Sequence, residues 1–309
     1  MMFMRSLRRK GALSFTRRGI EPIVRNFPSV TAAWVAACRS FGVLLPEGER
    51  LADDPYGARF ARTVPLFRAP RVARALFPRR AIVYMQLRTR AIDDALLDFV
   101  RGGGRQVVLL GAGFDCRALR FARELASATV FEVDHAATQA RKRAVLANDV
   151  GAKTEYVAWD FEERAVSELP AELAARGHDA SQKTITIWEG VTMYLTPRAI
   201  DETVTAVAAY SAPESRLVFT YMERSLIERP SLRARAGAAL VGLVGEPFRF
   251  GFEPSELGGW LEARGFSVDR DATMGELARE LLGRADFDWG GRHIAFTRRL
   301  PRRGETRPA

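Results

Sequence analysis

Two glycines and an aspartate in this chain have the types and spacing of a nucleotide-binding site. The loop Gly111-Ala112-Gly113 follows an apolar run, and glycines at such a turn let the backbone approach a ligand closely. Asp134 ends the next apolar run, 23 residues after Gly111. A carboxylate at that distance lies at the tip of the neighbouring strand, where it can accept hydrogen bonds from both hydroxyls of a ribose. We therefore expect the loop and Asp134 to hold a nucleoside.

The glycine spacing also bears on which nucleotide is bound. Dinucleotide-binding loops read G-x-G-x-x-G, and the third glycine allows close packing around a pyrophosphate. Here the sixth position is Cys116, so the loop suits an adenosine ligand without phosphates better than NAD, and S-adenosylmethionine is the leading candidate cofactor. Two alternatives stay open. One is an NAD(P)-dependent oxidoreductase, which the missing glycine and the lack of a Tyr-x-x-x-Lys pair disfavour, and the other is a glycine turn without a ligand.

Four sequence blocks occur in series around these residues: LLGAGFDCRALR, FEVDHAATQARKRAVL, AWDF and WEGVTMYLTP. In order and spacing they resemble the blocks of the leucine carboxyl methyltransferase-like family of class I S-adenosylmethionine-dependent methyltransferases. The resemblance extends from about Val30 to Phe296. Cys116 departs from the threonine that is usual in this family, but it has a similar size. The resemblance implies an enzyme that uses S-adenosylmethionine.

Two arginines before the glycine loop gain a role from the resemblance. Arg88 stands in an R-x-R-x-x-D-D block, where the family places an arginine that binds the carboxylate of the cofactor's methionine part. The planar guanidinium suits a carboxylate because it binds both oxygens. Arg39 matches a second basic position, at which the family more often has lysine. From the residues alone, Arg88 could equally be a solvated arginine on a packing helix.

Residues at the end of the third apolar run have the chemistry to hold an adenine. The run is Thr154–Ala158, and Trp159, Asp160 and Phe161 follow it. The carboxylate can accept a hydrogen bond from the exocyclic amine of adenine, and the next backbone N–H can donate to a ring nitrogen. The alternative is a strand end with a solvated aspartate. His135 directly follows Asp134, and we expect it to flank the ribose or the adenine.

The fourth apolar run, Thr184–Trp188, leads into the acceptor end of the predicted site. Glu189 follows it and faces the same crevice as the glycine loop, because ligands gather at the carboxyl ends of parallel strands. Its charge complements the ammonium or the sulfonium of the cofactor. Tyr194 lies where the methyl acceptor is expected, and it is either a polar contact in catalysis or a packed aromatic.

The nature of the acceptor follows from what methyl transfer requires. Transfer from a sulfonium needs alignment and exclusion of water. A carboxylate acceptor, the usual one in this family, is already ionised and needs no general base, which fits a chain with three histidines. We therefore expect O-methylation of a small-molecule or peptide carboxylate. A hydroxyl of a natural product is the alternative acceptor, although it would require a base.

The elements that position these residues alternate between strand and helix, which predicts an α/β fold with a Rossmann-like, seven-stranded sheet. The resemblance implies that the last strand is antiparallel. The pattern predicts helices over 115–125, 136–146 and 163–176. The predicted strands are Gln106–Leu110, Thr129–Val133, Thr154–Ala158, Thr184–Trp188, Arg216–Tyr221, Phe266–Arg270 and His293–Thr297.

The domain organisation is a single methyltransferase domain over residues 29–300. It begins with helices over residues 29–100, and it has a helical lid inserted after the fifth strand, over 222–260. Three phenylalanines near the end of this insertion either line an apolar acceptor pocket or fill the core: Phe248, Phe250 and Phe252. We expect residues 1–28 to form a mostly irregular basic leader and residues 301–309 to form a basic tail.

Composition limits the remaining possibilities. The net charge is +10, yet only four of the 47 basic residues are lysine, which indicates a GC-rich coding sequence more than phosphate binding. We expect no nucleic-acid partner and no membrane span, although an RNA-directed or non-catalytic cofactor-binding protein stays an alternative. Two cysteines and no cysteine–histidine cluster predict neither disulfides nor a metal, and fit a reducing cytoplasm. The oligomeric state is left open.

Overall fold

A seven-stranded sheet forms the centre of the computed structural model, which describes residues 30–68, 76–161, 163–229, 248–284, 286–287 and 289–301. The order of strands across the sheet is β3-β2-β1-β4-β5-β7-β6. β1 to β5 are parallel, and β7 is antiparallel to both of its neighbours, so the predicted strand count and the direction of the last strand are confirmed. The strands are β1 (Gln106–Leu110), β2 (Thr129–Asp134), β3 (Lys153–Ala158), β4 (Thr184–Trp188), β5 (Arg216–Met222), β6 (Phe266–Thr273) and β7 (Arg292–Arg299).

Helices cover both faces of the sheet. In chain order the described α-helices are α1 (Val30–Ser40), α2 (Gly57–Ala61), α3 (Arg79–Arg101), α4 (Arg117–Arg120), α5 (Ala136–Val145), α6 (Leu169–Ala175), α7 (Pro197–Tyr210), α8 (Arg224–Glu228), α9 (Pro254–Glu262) and α10 (Met274–Leu282). Side chains of α3 and α10 pack into the core on one face, and those of α6, α7 and α9 on the other. The runs of apolar residues in β1 and β4 are buried along their whole length, as a parallel sheet covered on both faces requires.

Two predicted helices are shorter than the apolar spacing indicated. The helix predicted over 115–125 is only α4, because Phe121 leaves the helical conformation (φ −115°, ψ 35°) and turns carry the chain on to β2. The helix predicted over 163–176 is a 3₁₀ turn, Val166–Glu168, followed by α6. Pro170 lies in the first turn of α6, where its missing N–H costs no intrahelical hydrogen bond.

The segment after β5 is described at its two ends. It begins with α8, and residues 230–247, which are 18 of the 39 residues of the predicted helical lid, lie outside the described residues. At the far end, Phe252 is buried with its ring centroid 5.5 Å from that of Tyr221, and Phe250 packs 4.8 Å from Phe252. These two phenylalanines therefore fill the core. The leader, residues 1–28, and most of the tail also lie outside the described residues.

Over the described part of the chain, no helix combines the length and the apolar character that crossing a membrane requires.

A buried ion pair holds α5 against the sheet and makes a testable contribution to stability. Lys142 Nζ lies 2.6 Å from Glu132 Oε2, and both side chains are buried. Burial raises the pKa of Glu132 in spite of Lys142. Lys142→Met leaves this carboxyl without its cation, and we expect a loss of about 3 kcal/mol in the free energy of unfolding, since the carboxyl can take up a proton and limit the cost.

Urea denaturation measures this loss, with Arg141→Met at the exposed neighbouring position as the control. Without Lys142, the folded-state pKa of Glu132 rises further above its unfolded value than in the wild type, so the deficit of the variant should shrink as the pH falls toward the usual range of glutamate, about 4.3. Equal unfolding midpoints for the two variants would show that the ion pair contributes nothing.

Candidate functional site

A cavity of about 300 Å³ opens at the carboxyl ends of β1, β2 and β4. This volume is at the lower end of the range for small-molecule sites. The floor consists of the loop after β1 and the turn after β4, while α1 and α3 supply the walls. Eight of the residues predicted from the sequence line it: Arg39, Arg88, Gly111, Ala112, Gly113, Asp134, Glu189 and Tyr194. Residues from positions 150 apart in the chain thus meet at one edge of the sheet.

The glycine loop has a backbone that only glycine adopts readily. Gly111 has φ of 64° and Gly113 has φ of 52°, both in the left-handed region. A Cβ atom at Gly111 would lie 2.7 Å from Cγ2 of Val191, so the turn after β4 also excludes a side chain there. The loop is tied to β2, because the N–H groups of Gly111 and Ala112 both donate to the carbonyl of Val133. The backbone itself is therefore exposed to the cavity.

Asp134 stands at the end of β2 and completes this loop. Its Oδ2 accepts a hydrogen bond from the N–H of Gly113 at 2.6 Å, and its Oδ1 accepts from the N–H of His135 at 2.7 Å. Burial raises the pKa of Asp134 above its usual value, although these two N–H groups oppose the shift. The carboxylate is thus fixed in orientation and half-buried, and it keeps acceptor capacity for hydroxyl donors in the cavity.

A buried charge cluster forms the opposite end of the cavity. Arg88 Nε donates to Glu189 Oε1 at 2.7 Å, and Arg117 Nη1 donates to Glu189 Oε2 at 2.8 Å. All three side chains are at most 8% exposed. Burial alone would raise the pKa of Glu189, but Arg117, Arg88 and Arg39 outweigh it and hold this pKa well below the usual range of glutamate. Glu189 therefore presents a fixed negative charge to the cavity beside the Arg88 guanidinium.

Arg39 connects α1 to the glycine loop. Its Nε donates to Asp54 Oδ2 at 2.9 Å, and its Nη2 donates to the carbonyl of Phe114 at 2.6 Å. Asp54 in turn accepts hydrogen bonds from the N–H groups of Tyr56 and Gly57. The Asp54 carboxylate thus balances the charge of Arg39 while the guanidinium still borders the cavity.

Three other predicted residues lie outside the lining of this cavity. His135 uses Nδ1 to accept a hydrogen bond from the N–H of Ala137 and so caps α5. Its Nε2 lies 3.6 Å from Asp160 Oδ2, and Phe161 is 37% exposed. The three residues form a surface at the ends of β2 and β3, on the side of Asp134 away from Glu189.

Tyr194 ends a 3₁₀ turn, Thr192–Tyr194, and borders the cavity. Its ring centroid lies 5.6 Å from that of Phe248. The N–H of Arg249 donates to the carbonyl of Met193 at 2.7 Å, which fixes the Phe248 loop on this turn. Of the three phenylalanines predicted for an acceptor pocket or the core, Phe248 therefore lies beside a cavity residue.

The role of Arg117 was not predicted from the sequence. Arg117 is 1% exposed and donates a hydrogen bond to Glu189 from the side away from the cavity. Arg117 also pairs with Asp115 and, through Nε, with Asp93 Oδ1 at 2.7 Å. One signal could have indicated this. Arg117 is the first residue of α4, where the helix dipole disfavours a cation, so a carboxylate partner was to be expected nearby.

The residues present fit S-adenosylmethionine. The Asp134 carboxylate suits the ribose hydroxyls, and the glycine backbone allows an adenosine to approach closely. At the other end, a guanidinium and a carboxylate lie side by side, which suits the zwitterionic amino-acid part of the cofactor. The two ends of the cavity thus differ in chemistry in the same way as the two ends of the cofactor.

Known proteins agree with this interpretation. The sequence profile of the family described as leucine carboxyl methyltransferase matches residues 32–208. A relative from Frankia alni is 35% identical over 247 residues, which span 78% of this chain and 82% of the relative. A relative from Streptomyces coelicolor is 33% identical over 249 residues, which span 77% of this chain and 84% of the relative. Both relatives are named as candidate S-adenosyl-L-methionine-dependent methyltransferases.

Solved structures with similar folds extend over most of the chain. A DUF574 family protein from Streptomyces avermitilis aligns with a TM-score of 0.57 at 13% identity, and covers 90% of this chain and 100% of its own. A candidate methyltransferase from Thermobifida fusca aligns with a TM-score of 0.55 at 17% identity, and covers 91% and 98%. The sheet order and these neighbours show the Rossmann-like fold of class I methyltransferases. With the profile match and the two relatives, it follows that the chain is an S-adenosylmethionine-dependent methyltransferase and belongs to the leucine carboxyl methyltransferase family.

Proposed function

We propose that this enzyme methylates a carboxylate oxygen of a small molecule or of a peptide C-terminus. The observation that carries the proposal is the state of the carboxylates around the cavity. Asp115 and Glu189 are paired with arginines, and Asp134 accepts two backbone hydrogen bonds. Among the described residues that line the cavity there is no histidine. Such a site suits an acceptor that is already ionised at neutral pH, because it need not remove a proton.

The proposal assigns binding roles to the predicted residues. Asp134 accepts from the ribose hydroxyls, and Arg88 with Arg39 binds the methionine carboxylate. Glu189 accepts from the ammonium group. His135, Asp160 and Phe161 flank the adenine beyond the described cavity, and Tyr194 contacts the acceptor.

The protein has to align the acceptor oxygen with the methyl group of the cofactor. When bound, S-adenosylmethionine supplies a methyl group on a positively charged sulfur, which is a good leaving group. Held between Asp134 and the Arg88–Glu189 pair, the cofactor would offer its methyl carbon to a lone pair of the acceptor oxygen, and the electron pair of the broken carbon–sulfur bond would stay on the sulfur. No proton is transferred when the acceptor is a carboxylate. The fixed loop, Asp134 and the charge cluster hold the reactants in line, and water is excluded by α1 and α3.

We also propose roles for the segments around the site. Residues 29–300 form one methyltransferase domain, with helices over 29–100 bordering the cavity and the segment 222–260 acting as a lid. The described contacts of Phe248 with Tyr194 support a lid beside the acceptor end. The two cysteines, Cys38 and Cys116, are free and buried, which supports a location in the reducing cytoplasm.

A radiolabelled methyl-transfer assay tests the acceptor class. Purified enzyme is incubated with methyl-labelled S-adenosylmethionine and a panel of carboxylic acids, peptides and hydroxyl compounds. A methyl ester releases volatile labelled methanol in mild base, whereas a methyl ether does not. We expect base-labile product from at least one carboxylic acid or peptide, and none from the Asp134→Ala variant. Base-stable product from hydroxyl compounds alone would establish the alternative acceptor.

A further inference from the structure

Arg117 belongs to the charge cluster and connects its own helix to three other elements. It belongs to α4, pairs with Asp93 on α3 and with Asp115 in the glycine loop, and donates to Glu189 after β4. It is 1% exposed, and its Nη2 is a buried donor without a hydrogen-bond partner among the described residues. A buried arginine that retains its charge among carboxylates from separate elements fixes their relative positions. Arg117 itself does not line the cavity.

The charges of this cluster balance when the ion-paired neighbours Arg120, Asp93 and Asp115 are counted with it. Arg88, Arg117 and Arg120 carry three positive charges, and Asp93, Asp115 and Glu189 carry three negative ones. Only Arg88, Asp115 and Glu189 of these border the cavity, and Asp115 is paired with Arg117. The cluster therefore presents the Arg88 guanidinium and the Glu189 carboxylate side by side at this end of the cavity, next to Arg39, whose charge Asp54 balances. Such a pair attracts a zwitterion and gives no net attraction for a phosphate or a lone cation.

We propose that Arg117 is a positioning residue that makes the site specific for a ligand with a zwitterionic amino-acid end. The inference rests on the proposed cofactor orientation. Without Arg117, one oxygen of Glu189 would lose its donor, and Arg88 alone would have to neutralise that carboxylate. The Arg88 guanidinium would then turn toward Glu189 and away from a ligand carboxylate. With Arg117 on the second oxygen of Glu189, Arg88 engages this carboxylate through Nε, and its terminal nitrogens are left for the ligand carboxylate.

A merely structural role for Arg117 is the competing explanation, and the chain offers a matched control. Arg120 lies one turn further along α4, is also buried, and also pairs with Asp93. It donates through Nε to the carbonyl of Asp53 and makes no described contact with Glu189. A variant at Arg120 therefore disturbs the same helix and the same aspartate, but not the carboxylate that faces the cavity.

Calorimetry with two ligands separates the explanations. S-adenosylhomocysteine has the amino-acid end, whereas 5′-methylthioadenosine has the same nucleoside and sulfur without it. Arg117→Lys keeps the positive charge but loses the planar guanidinium that donates to several carboxylates at once. For this variant we expect at least tenfold weaker binding of S-adenosylhomocysteine and a change within twofold for 5′-methylthioadenosine. For Arg120→Lys we expect both affinities within twofold of the wild type.

The pH dependence of Arg117→Met gives a second measurement that packing alone would not change. The charged groups that face Glu189 are Arg88 from α3, Arg117 from α4, Arg39 from α1 and Asp115 from the loop. The ligand ammonium needs an ionised Glu189, whose pKa is held low in the wild type. The wild-type affinity for S-adenosylhomocysteine relative to 5′-methylthioadenosine should thus be constant from pH 8 to 5, since the raised pKa of Asp134 affects the ribose of both ligands alike. Removing the Arg117 charge raises the pKa of Glu189, so the affinity of the variant should fall as the pH approaches 5.

Each outcome decides between the alternatives. Equal losses for both ligands in Arg117→Lys, or an equally selective loss in Arg120→Lys, would overturn the role of Arg117. Unchanged affinities and a flat pH profile in the Arg117 variants would overturn it as well. A wild-type enzyme that binds 5′-methylthioadenosine as tightly as S-adenosylhomocysteine would instead refute the cofactor orientation on which the inference rests.

Discussion

Asp134→Ala is expected to weaken the binding of S-adenosylhomocysteine by a factor of 100 or more. The carboxylate would lose two hydrogen bonds to the ribose hydroxyls, each with a charged acceptor and contributing about 1.5–3 kcal/mol. Even the lower values sum to about 3 kcal/mol, which is two orders of magnitude in affinity. The variant also loses the hydrogen bond from the N–H of Gly113, so the glycine loop becomes less well fixed.

Calorimetric titration measures this effect, and two further variants make it specific. Asp134→Asn keeps the size and one acceptor oxygen but not the charge, so it should lose less affinity than Asp134→Ala. Asp179→Ala removes a carboxylate next to the amino end of β1, where Asp179 N–H donates to Gln106, and should leave the affinity unchanged. A folded Asp134→Ala protein with wild-type affinity would place the nucleoside elsewhere.

Glu189→Ala is expected to lower the free energy of unfolding by about 3–5 kcal/mol, the usual cost of leaving a buried charge without its partner. Two guanidiniums, those of Arg88 and Arg117, share this carboxylate in a buried environment. An arginine does not relieve its burial by releasing a proton, because it stays charged at any accessible pH. The loss should therefore exceed that of Lys142→Met, which leaves a carboxyl that can be protonated.

Urea denaturation of Glu189→Ala, Glu189→Gln and a surface control tests this expectation. Asp94→Ala is the control, because Asp94 pairs with Arg90 on the exposed side of α3, the helix that also carries Arg88. The control should unfold at the wild-type urea concentration. Glu189→Gln keeps one acceptor oxygen but no charge and should fall between them. A stability of Glu189→Ala equal to that of the control would mean that water or ions neutralise the arginines.

Much of the fold and the core of the site could be predicted from the sequence, because both depend on local patterns. A buried parallel strand is a short apolar run, and β1 and β4 have the predicted bounds. A nucleoside loop requires glycines at a strand end, which places Gly111 and Gly113 without knowledge of the tertiary structure. The separation between the glycines and Asp134 follows from one strand–helix–strand unit.

The contacts that connect distant segments could not be predicted in the same way. The partners of Glu189 lie 101 and 72 residues away, and nothing in the local spacing specifies which arginine meets which oxygen. The early end of α4 was not predicted for a related reason. Its end at Phe121 is a backbone conformation that the apolar spacing over 115–125 does not encode. Arg88 borders the cavity, but its engagement with Glu189 was not foreseen.

A crystal structure of the enzyme with S-adenosylhomocysteine tests the binding assignment most directly. We predict ribose hydroxyls within hydrogen-bonding distance of both Asp134 oxygens, the α-carboxylate on the guanidinium of Arg88, and the ammonium beside Glu189. The adenine is predicted to lie against Asp160 and Phe161. A ligand bound with its amino-acid end at Asp134, or outside the cavity between the glycine loop and Glu189, would contradict the assignment.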